Sequence, residues 1–212
     1  MTHIAIVLGY GVYEDSNTAY KTKYLEPVLT DILAKNPDLI ITCAGCSNSK
    51  FPTLSEAESI KTLFVELQPS IDSKIITETD SLSTPESLEF TSKLINKNYP
   101  DCDHVTIYVD SCRVPKALYL SLQLFLTGSK LSEKELLTIL GHIYLEKLYD
   151  FSQSVELNYQ NITVVGTPLS DNMTLVSQQI VSSMLEMHSF NYPELHQEFI
   201  DWRKKQWGIK TD

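Results

Sequence analysis

No stretch of this 212-residue chain approaches the roughly eighteen consecutive apolar residues of a membrane span. The run Ile4-Ala5-Ile6-Val7-Leu8 stops at Gly9, and it has neither a basic leader nor a small-residue cleavage site. We therefore expect a soluble, cytoplasmic protein with no membrane insertion. Basic residues are also scarce: 17 Lys and Arg against 27 Asp and Glu give a net charge of −10 and a pI near 4.9. A phosphate-backbone binder needs clustered cations, so no nucleic-acid partner is expected. With no secretion signal, the four cysteines are expected to be free thiols, and the five histidines are too scattered for a zinc site. Cys43 and Cys46 have redox-motif spacing, but Cys43 closes an apolar run, whereas a thioredoxin-like site sets both cysteines at a helix start. No linker rich in Pro, Gly or Ser, no repeat and no low-complexity tract divides the chain. A single domain over residues 1–212 is the economical expectation.

What is present is an alternation of apolar runs with helix-like segments, the pattern of a parallel α/β sheet. Strands are expected at Ile4–Leu8, Leu39–Cys43, Lys74–Thr77, Val105–Val109 and Ile162–Val165. The first helix is expected from about Ala19 to Lys35, stopped by Asn36-Pro37 because proline disfavours helix in the residue before it. A second opens at Thr53-Leu54-Ser55-Glu56, where Thr53 and Glu56 fit a capping box. Ser83-Thr84-Pro85-Glu86 starts a third, with proline in the first turn, where its missing N–H costs nothing. Further helices are expected over Pro115–Leu126, about 132–150, Asp171–Met187 and Pro193–Gln206, the last lying in a helical appendage from about 190 to 212. The fold class this implies is α/β: a three-layer α/β/α Rossmann-like sandwich around a mainly parallel five-stranded sheet.

In such sheets ligands collect beyond the carboxyl ends of the strands, which singles out five loops. Gly9-Tyr10-Gly11 follows the first strand, and its glycines allow a ligand close to the backbone. A full dinucleotide fingerprint would need a third glycine and an immediate helix. Gly45 lies in the second loop, with Ser55 and Glu56 at the helix start beyond it. Glu78, Ser81, Thr84 and Glu86 follow the third strand. Asp110, Arg113 and Lys116 follow the fourth, and Gly166-Thr167-Pro168 the fifth. Each also has a local structural reading: caps for Ser83, Thr84, Glu56 and Glu86, and a surface contact for Asp110 with Arg113. Together they point to a small polar ligand as the partner.

The order of these motifs resembles the domain family that contains ElyC, SanA and YdcF. Val7-Leu8-Gly9-Tyr10-Gly11 stands where that family has a strand ending in Leu-Gly-Gly, and Ser55-Glu56-Ala57-Glu58 at its Ser-Glu-Ala helix start. Glu78, Ser81, Thr84 and Glu86 fall in register with a Glu-x-x-Ser-x-Asn-Thr-x-Glu-Asn segment, and Pro115-Lys116-Ala117-Leu118 follows the place of a Thr-Ser-x-x-His-x-x-Arg-Ala segment. The resemblance covers about Ile4 to Phe125. It implies a Rossmann-like domain and, in some members, a link to cell-envelope and peptidoglycan integrity. One member is similar to a binder of S-adenosylmethionine, which makes that molecule the cofactor to test. The chain departs from the pattern where relatives carry asparagine (Ser83, Ser87), histidine (Arg113) and arginine (Lys116). Arginine stays charged throughout the useful pH range and cannot shuttle a proton, but it can clamp a carboxylate or phosphate.

Two expectations follow. The first is a small-molecule binder, nucleotide- or S-adenosylmethionine-like and open to an enzymatic role in cell-envelope metabolism, with Glu56, Glu78 and Glu86 on hydroxyl or amino groups and Arg113 and Lys116 on an anionic one. The alternative is a non-catalytic binding or interaction module with a degenerate site. Metal-dependent hydrolysis would rest on the carboxylates alone, without a compact ligand cluster.

Overall fold

The computed structural model describes residues 2–45, 53–126, 131–132, 134–136, 138–139, 141, 153–169 and 173–207. Among them, β1 (Thr2–Leu8) is followed by α1 (Thr18–Tyr20), which continues through a π-helical turn at Lys21–Leu25 into α2 (Glu26–Lys35). Pro27 explains the widened turn: without an N–H it cannot bond one turn back, and its ring would crowd the carbonyl there. Next come β2 (Leu39–Cys43), α3 (Glu56–Leu67), β3 (Ile75–Glu78), α4 (Thr84–Asn98) and β4 (Cys102–Asp110). A 3-10 turn at Ser111–Arg113 leads into α5 (Val114–Leu124). The chain then adds β5 (Val155–Tyr159), β6 (Ile162–Thr167), α6 (Met173–Phe190) and α7 (Pro193–Trp207).

The strands form one sheet in the order β3-β2-β1-β4-β6-β5. All neighbours are parallel except β5, which runs antiparallel to β6 at the edge. The sheet thus has six strands rather than five. Val155–Tyr159 alternates, with only Leu157 buried, so it lacks the continuous apolar run that marks the central strands. It returns on β6 through the two residues Gln160 and Asn161, Gln160 taking a positive φ of 51°.

Alternate residues of β1 serve opposite faces. Ile4, Ile6 and Leu8 join Leu88 and Ile95 of α4 and Ala117 and Leu118 of α5 in one core. Ala5 and Val7 join Val28 and Ile32 of α2 and Ile60, Leu63 and Phe64 of α3 in the other. Helices thus cover both faces of the sheet, a three-layer α/β/α arrangement. The chain steps outward from β1 to β3 with its crossovers on one face. It then returns past β1 to β4 with α4 on the other, as right-handed crossovers require when the direction reverses. That reversal opens a crevice between the carboxyl ends of β1 and β4.

Helix starts match the sequence reading except at α3. There Ser55, not Thr53, is the cap: its side chain accepts from Glu58 N at 3.1 Å, and Glu58 reaches back to Ser55 N at 3.0 Å. Glu56, one residue into the helix, is left to face elsewhere. The expected 132–150 helix begins at Ser132, whose hydroxyl accepts from Glu135 N at 3.3 Å, and most of its length lies outside the described residues. Cys43 is a buried free thiol in β2, Cys102 of β4 and Cys112 of the 3-10 turn are half-buried free thiols, and Cys46 lies outside the described residues. Burial pushes the Cys43 thiol up, and burial with the nearby Asp110 pushes Cys112 up to about 11, so neither is poised as a thiolate. Among the described residues no helix is long and apolar enough to cross a membrane.

Candidate functional site

The β1/β4 crevice opens into a cavity of about 460 Å³. Two tyrosines, Tyr20 of α1 and Tyr24 of the π turn, brace the strand end and loop that line it. The Tyr24 hydroxyl lies 2.8 Å from Leu8 O and 3.2 Å from Tyr108 O, where β1 and β4 part. Tyr20, stacked on Tyr24 at 5.7 Å, accepts from Tyr10 N at 3.0 Å and so fixes the loop after β1. Burial holds both phenols protonated, well above their ordinary range, so they act here as hydrogen-bonding struts.

Gly9 is required by close approach: a Cβ there would lie 2.3 Å from Glu56 Oε2 and 3.0 Å from Glu56 Cβ. The first turn of α3 therefore lays the Glu56 carboxylate across the glycine loop and into the cavity wall. Gly11 has a φ of 106°. Ser83, Thr84 and Ser87 from the start of α4 line another side, and Arg113 and Lys116 from the start of α5 line a third. The positive ends of three helix dipoles thus border one cavity, which favours an anionic group there.

Arg113 is the centre of this arrangement. Its Nε donates to Asp110 Oδ2 in a buried ion pair, not the surface contact that the local reading of the sequence suggested. The other Asp110 oxygen accepts from Cys112 N at 3.1 Å, so the carboxylate is fixed on both sides. The guanidinium lies 5.2 Å from the Tyr10 ring centroid. Burial opposes its charge, yet Asp110, together with Tyr24 and Glu56, holds the guanidinium above its ordinary value. Its Nη2 is buried with no hydrogen-bond partner. A buried charged donor left without an acceptor is costly, and it marks a place where an acceptor belongs. Lys116, one turn further along, pairs at 2.9 Å with Glu186 of α6, both side chains being 2% exposed.

Of the residues singled out by sequence, Gly9, Tyr10, Gly11, Glu56, Thr84, Arg113 and Lys116 come together on the wall. The others stand behind it, engaged locally. Gly45 passes so close to the next loop that a Cβ would lie 1.9 Å from Thr79 O. Ser55 caps α3. Glu78 accepts from Asp80 N, Ser81 N and Ser81 Oγ at 2.8, 2.9 and 2.5 Å, shaping the turn after β3. Ser81 in turn meets the wall residue Ser87 at 2.8 Å. Glu86 accepts from Leu82 N at 2.7 Å and faces His196 of α7 at 3.9 Å. Asp110 reaches the cavity only through Arg113.

Three wall residues, Asn17, Gln179 and Glu186, lie outside the loops that the sequence singled out. Gln179 and Glu186 arrive on α6, far along the chain. Ala44 takes a φ of 106°, a strained value for a residue with a Cβ, and it is held by Glu78 O accepting from its N–H and by Ala57 N donating to its carbonyl, both at 3.1 Å. Among the described residues no group of three or more His, Cys, Asp or Glu could hold a metal ion.

Comparison of the chain with family models, curated proteins and solved structures finds no match in any of the three. The functional reading therefore rests on the cavity itself.

Proposed function

We propose that this chain binds a small polar molecule bearing an anionic group, nucleotide- or S-adenosylmethionine-like, as the resemblance to the ElyC/SanA/YdcF family implies. The observation that carries the reading is the unpartnered, buried Nη2 of Arg113 in the wall of a cavity at the β1/β4 switch point. Asp110 and Tyr10 pre-orient the guanidinium, so little order is lost when an oxyanion meets it. Glu56, across the glycine loop, supplies an acceptor for a hydroxyl or amino group. The cavity volume falls within the roughly 300–1,000 Å³ usual for small-molecule sites. Arginine at this place supports clamping rather than proton transfer.

Calorimetric titration of the full chain with S-adenosylmethionine and simple nucleotides tests the reading. Heat is expected with at least one of them and is expected to vanish in Arg113→Gln. No heat with any of them defeats it.

A second reading, a non-catalytic interaction module with a degenerate site, is favoured by the Lys116–Glu186 pair, which closes part of the wall with the protein's own carboxylate. A well-folded chain that takes up none of these molecules would favour that alternative.

A further inference from the structure

Helix α6 is built the wrong way round for a surface helix. Among its described side chains Ser183, Glu186 and Ser189 are buried, while Val181, Met184 and Leu185 are 56%, 61% and 60% exposed. Surface helices ordinarily bury an apolar stripe. Helix α5 does so, through Val114, Ala117, Leu118 and Leu122. The middle of α6 therefore lies on the cavity through polar contacts: Gln179 and Glu186, two turns apart, both reach the wall. Even these contacts are incomplete, because Ser183 Oγ is buried without a partner. Ile180, Met187 and Phe190 of this helix are half-buried, so lifting it away would give up part of their apolar burial, while Glu186 would regain water.

The groups beneath α6 are two cations one turn apart at the start of α5. Arg113 has an unused donor, and Lys116 already holds a carboxylate oxygen. With Glu186 withdrawn, Lys116 gives up that carboxylate, while Arg113 keeps Asp110 beside it and Glu56 acts on it from the same wall. A single carboxylate on Lys116 leaves the Arg113 donor unmet. A phosphoryl group has the oxygens to meet both donors at once, and it suits the positive end of α5.

We propose that Glu186 is a built-in stand-in for a phosphoryl group, and that a phosphorylated ligand bridges Arg113 and Lys116 by displacing Glu186 and, with it, the cavity-facing side of α6. This rests on the small-ligand reading above and narrows it to phosphorylated molecules.

The test is titration of the full-length wild type, Glu186→Gln and Arg113→Gln with AMP, inorganic pyrophosphate, adenosine and S-adenosylmethionine, with thermal melts to verify folding. Hydrogen exchange over Met173–Phe190 of the wild type, with and without saturating AMP or pyrophosphate, is the second measurement. AMP or pyrophosphate is expected to bind Glu186→Gln about tenfold more tightly than wild type, since the competing carboxylate is gone. Adenosine is expected to bind at least tenfold more weakly than AMP, and exchange in α6 is expected to rise on binding. AMP against pyrophosphate separates a nucleotide from a bare phosphoryl ligand.

Phosphorylated probes that bind Glu186→Gln no better than wild type, or that slow exchange in α6, overturn the proposal. So does binding of S-adenosylmethionine by a chain that takes neither AMP nor pyrophosphate. In each of these cases the small-ligand reading stands, provided the binding is lost in Arg113→Gln. A chain in which no probe binds any form fails both. If Glu186→Gln does not fold, the direction of the exchange change in the wild type decides.

Discussion

At the amino ends of the strands, His3 and His104 meet edge to face at 5.2 Å. Each ring Nε2 pairs with a threonine hydroxyl on the next strand, Thr106 at 2.8 Å and Thr163 at 2.9 Å. Asp38 accepts from His3 N and Asp103 from Thr2 N, both at exposed positions. At the carboxyl ends, Asp110, Arg113, Lys116 and Glu186 are buried, and one guanidinium nitrogen has no acceptor. The first end uses polar groups to finish the edge of a sheet in water. The second withdraws charges from water and leaves a donor over. Burial of charge is costly and adds little net stability, and it is this second arrangement on which the proposed ligand reading rests.

The sharpest way to break this comparison is to disturb the packing that shapes the carboxyl end. Gly45→Ala would set a Cβ 1.9 Å from a backbone oxygen. We expect a loss of roughly 4 kcal/mol or more in urea denaturation, in the class of exceptional single-site effects. Next, Asp110→Ala leaves the Arg113 charge buried and unpaired, which should cost about 3–5 kcal/mol. Asp38→Ala at the other end should cost about 1 kcal/mol, and equal losses would erase the contrast. Tyr24→Phe removes the buried hydroxyl that braces Leu8 O, for an expected loss of about 1–2 kcal/mol by the same measurement.

Ala44→Gly relieves a positive φ and should raise stability by about 0.5–1 kcal/mol, visible as a higher midpoint. An unchanged or lower midpoint would mean that the strain is not there to relieve.

The smallest expected effect is at the histidines. Burial lowers both values, helped at His3 by His104 and at His104 by Lys35. The unfolded chain then takes up these protons first. The histidine contribution to stability is full above about pH 6.5 and falls as pH drops from there toward the lower folded-state values. His104→Asn should flatten that slope, as followed by midpoint against pH.

The central strands were legible because a strand covered on both faces reads as an unbroken apolar run, as Ile4–Leu8 and Leu39–Cys43 do. The start of α4 was legible because Ser83 and Pro85 are local signals with local physics. At α3 the same logic chose the wrong cap by two residues, since Thr53-x-x-Glu56 and Ser55-x-x-Glu58 fit one template equally well. The edge strand β5 escaped because half of it faces water. For the site, four of the five loops singled out border the cavity and Gly166-Thr167-Pro168 does not line it, and the division of labour within them was not legible: Glu78 and Glu86 turned to nearby backbone N–H groups, while Glu56 reached the cavity.

By itself the sequence determined the alternation of strands and helices, the sites of most turns and the set of loops in which chemistry could lie. These depend on the period of apolar residues and on backbone preferences a few residues long. Only the tertiary structure decided which polar side chains share a cavity. The Lys116–Glu186 pair joins residues 70 positions apart, and the reversed polarity of α6 has meaning only against the surface it covers. The unpartnered nitrogen of Arg113 belongs to the same class, because whether a donor lacks an acceptor depends on everything folded around it.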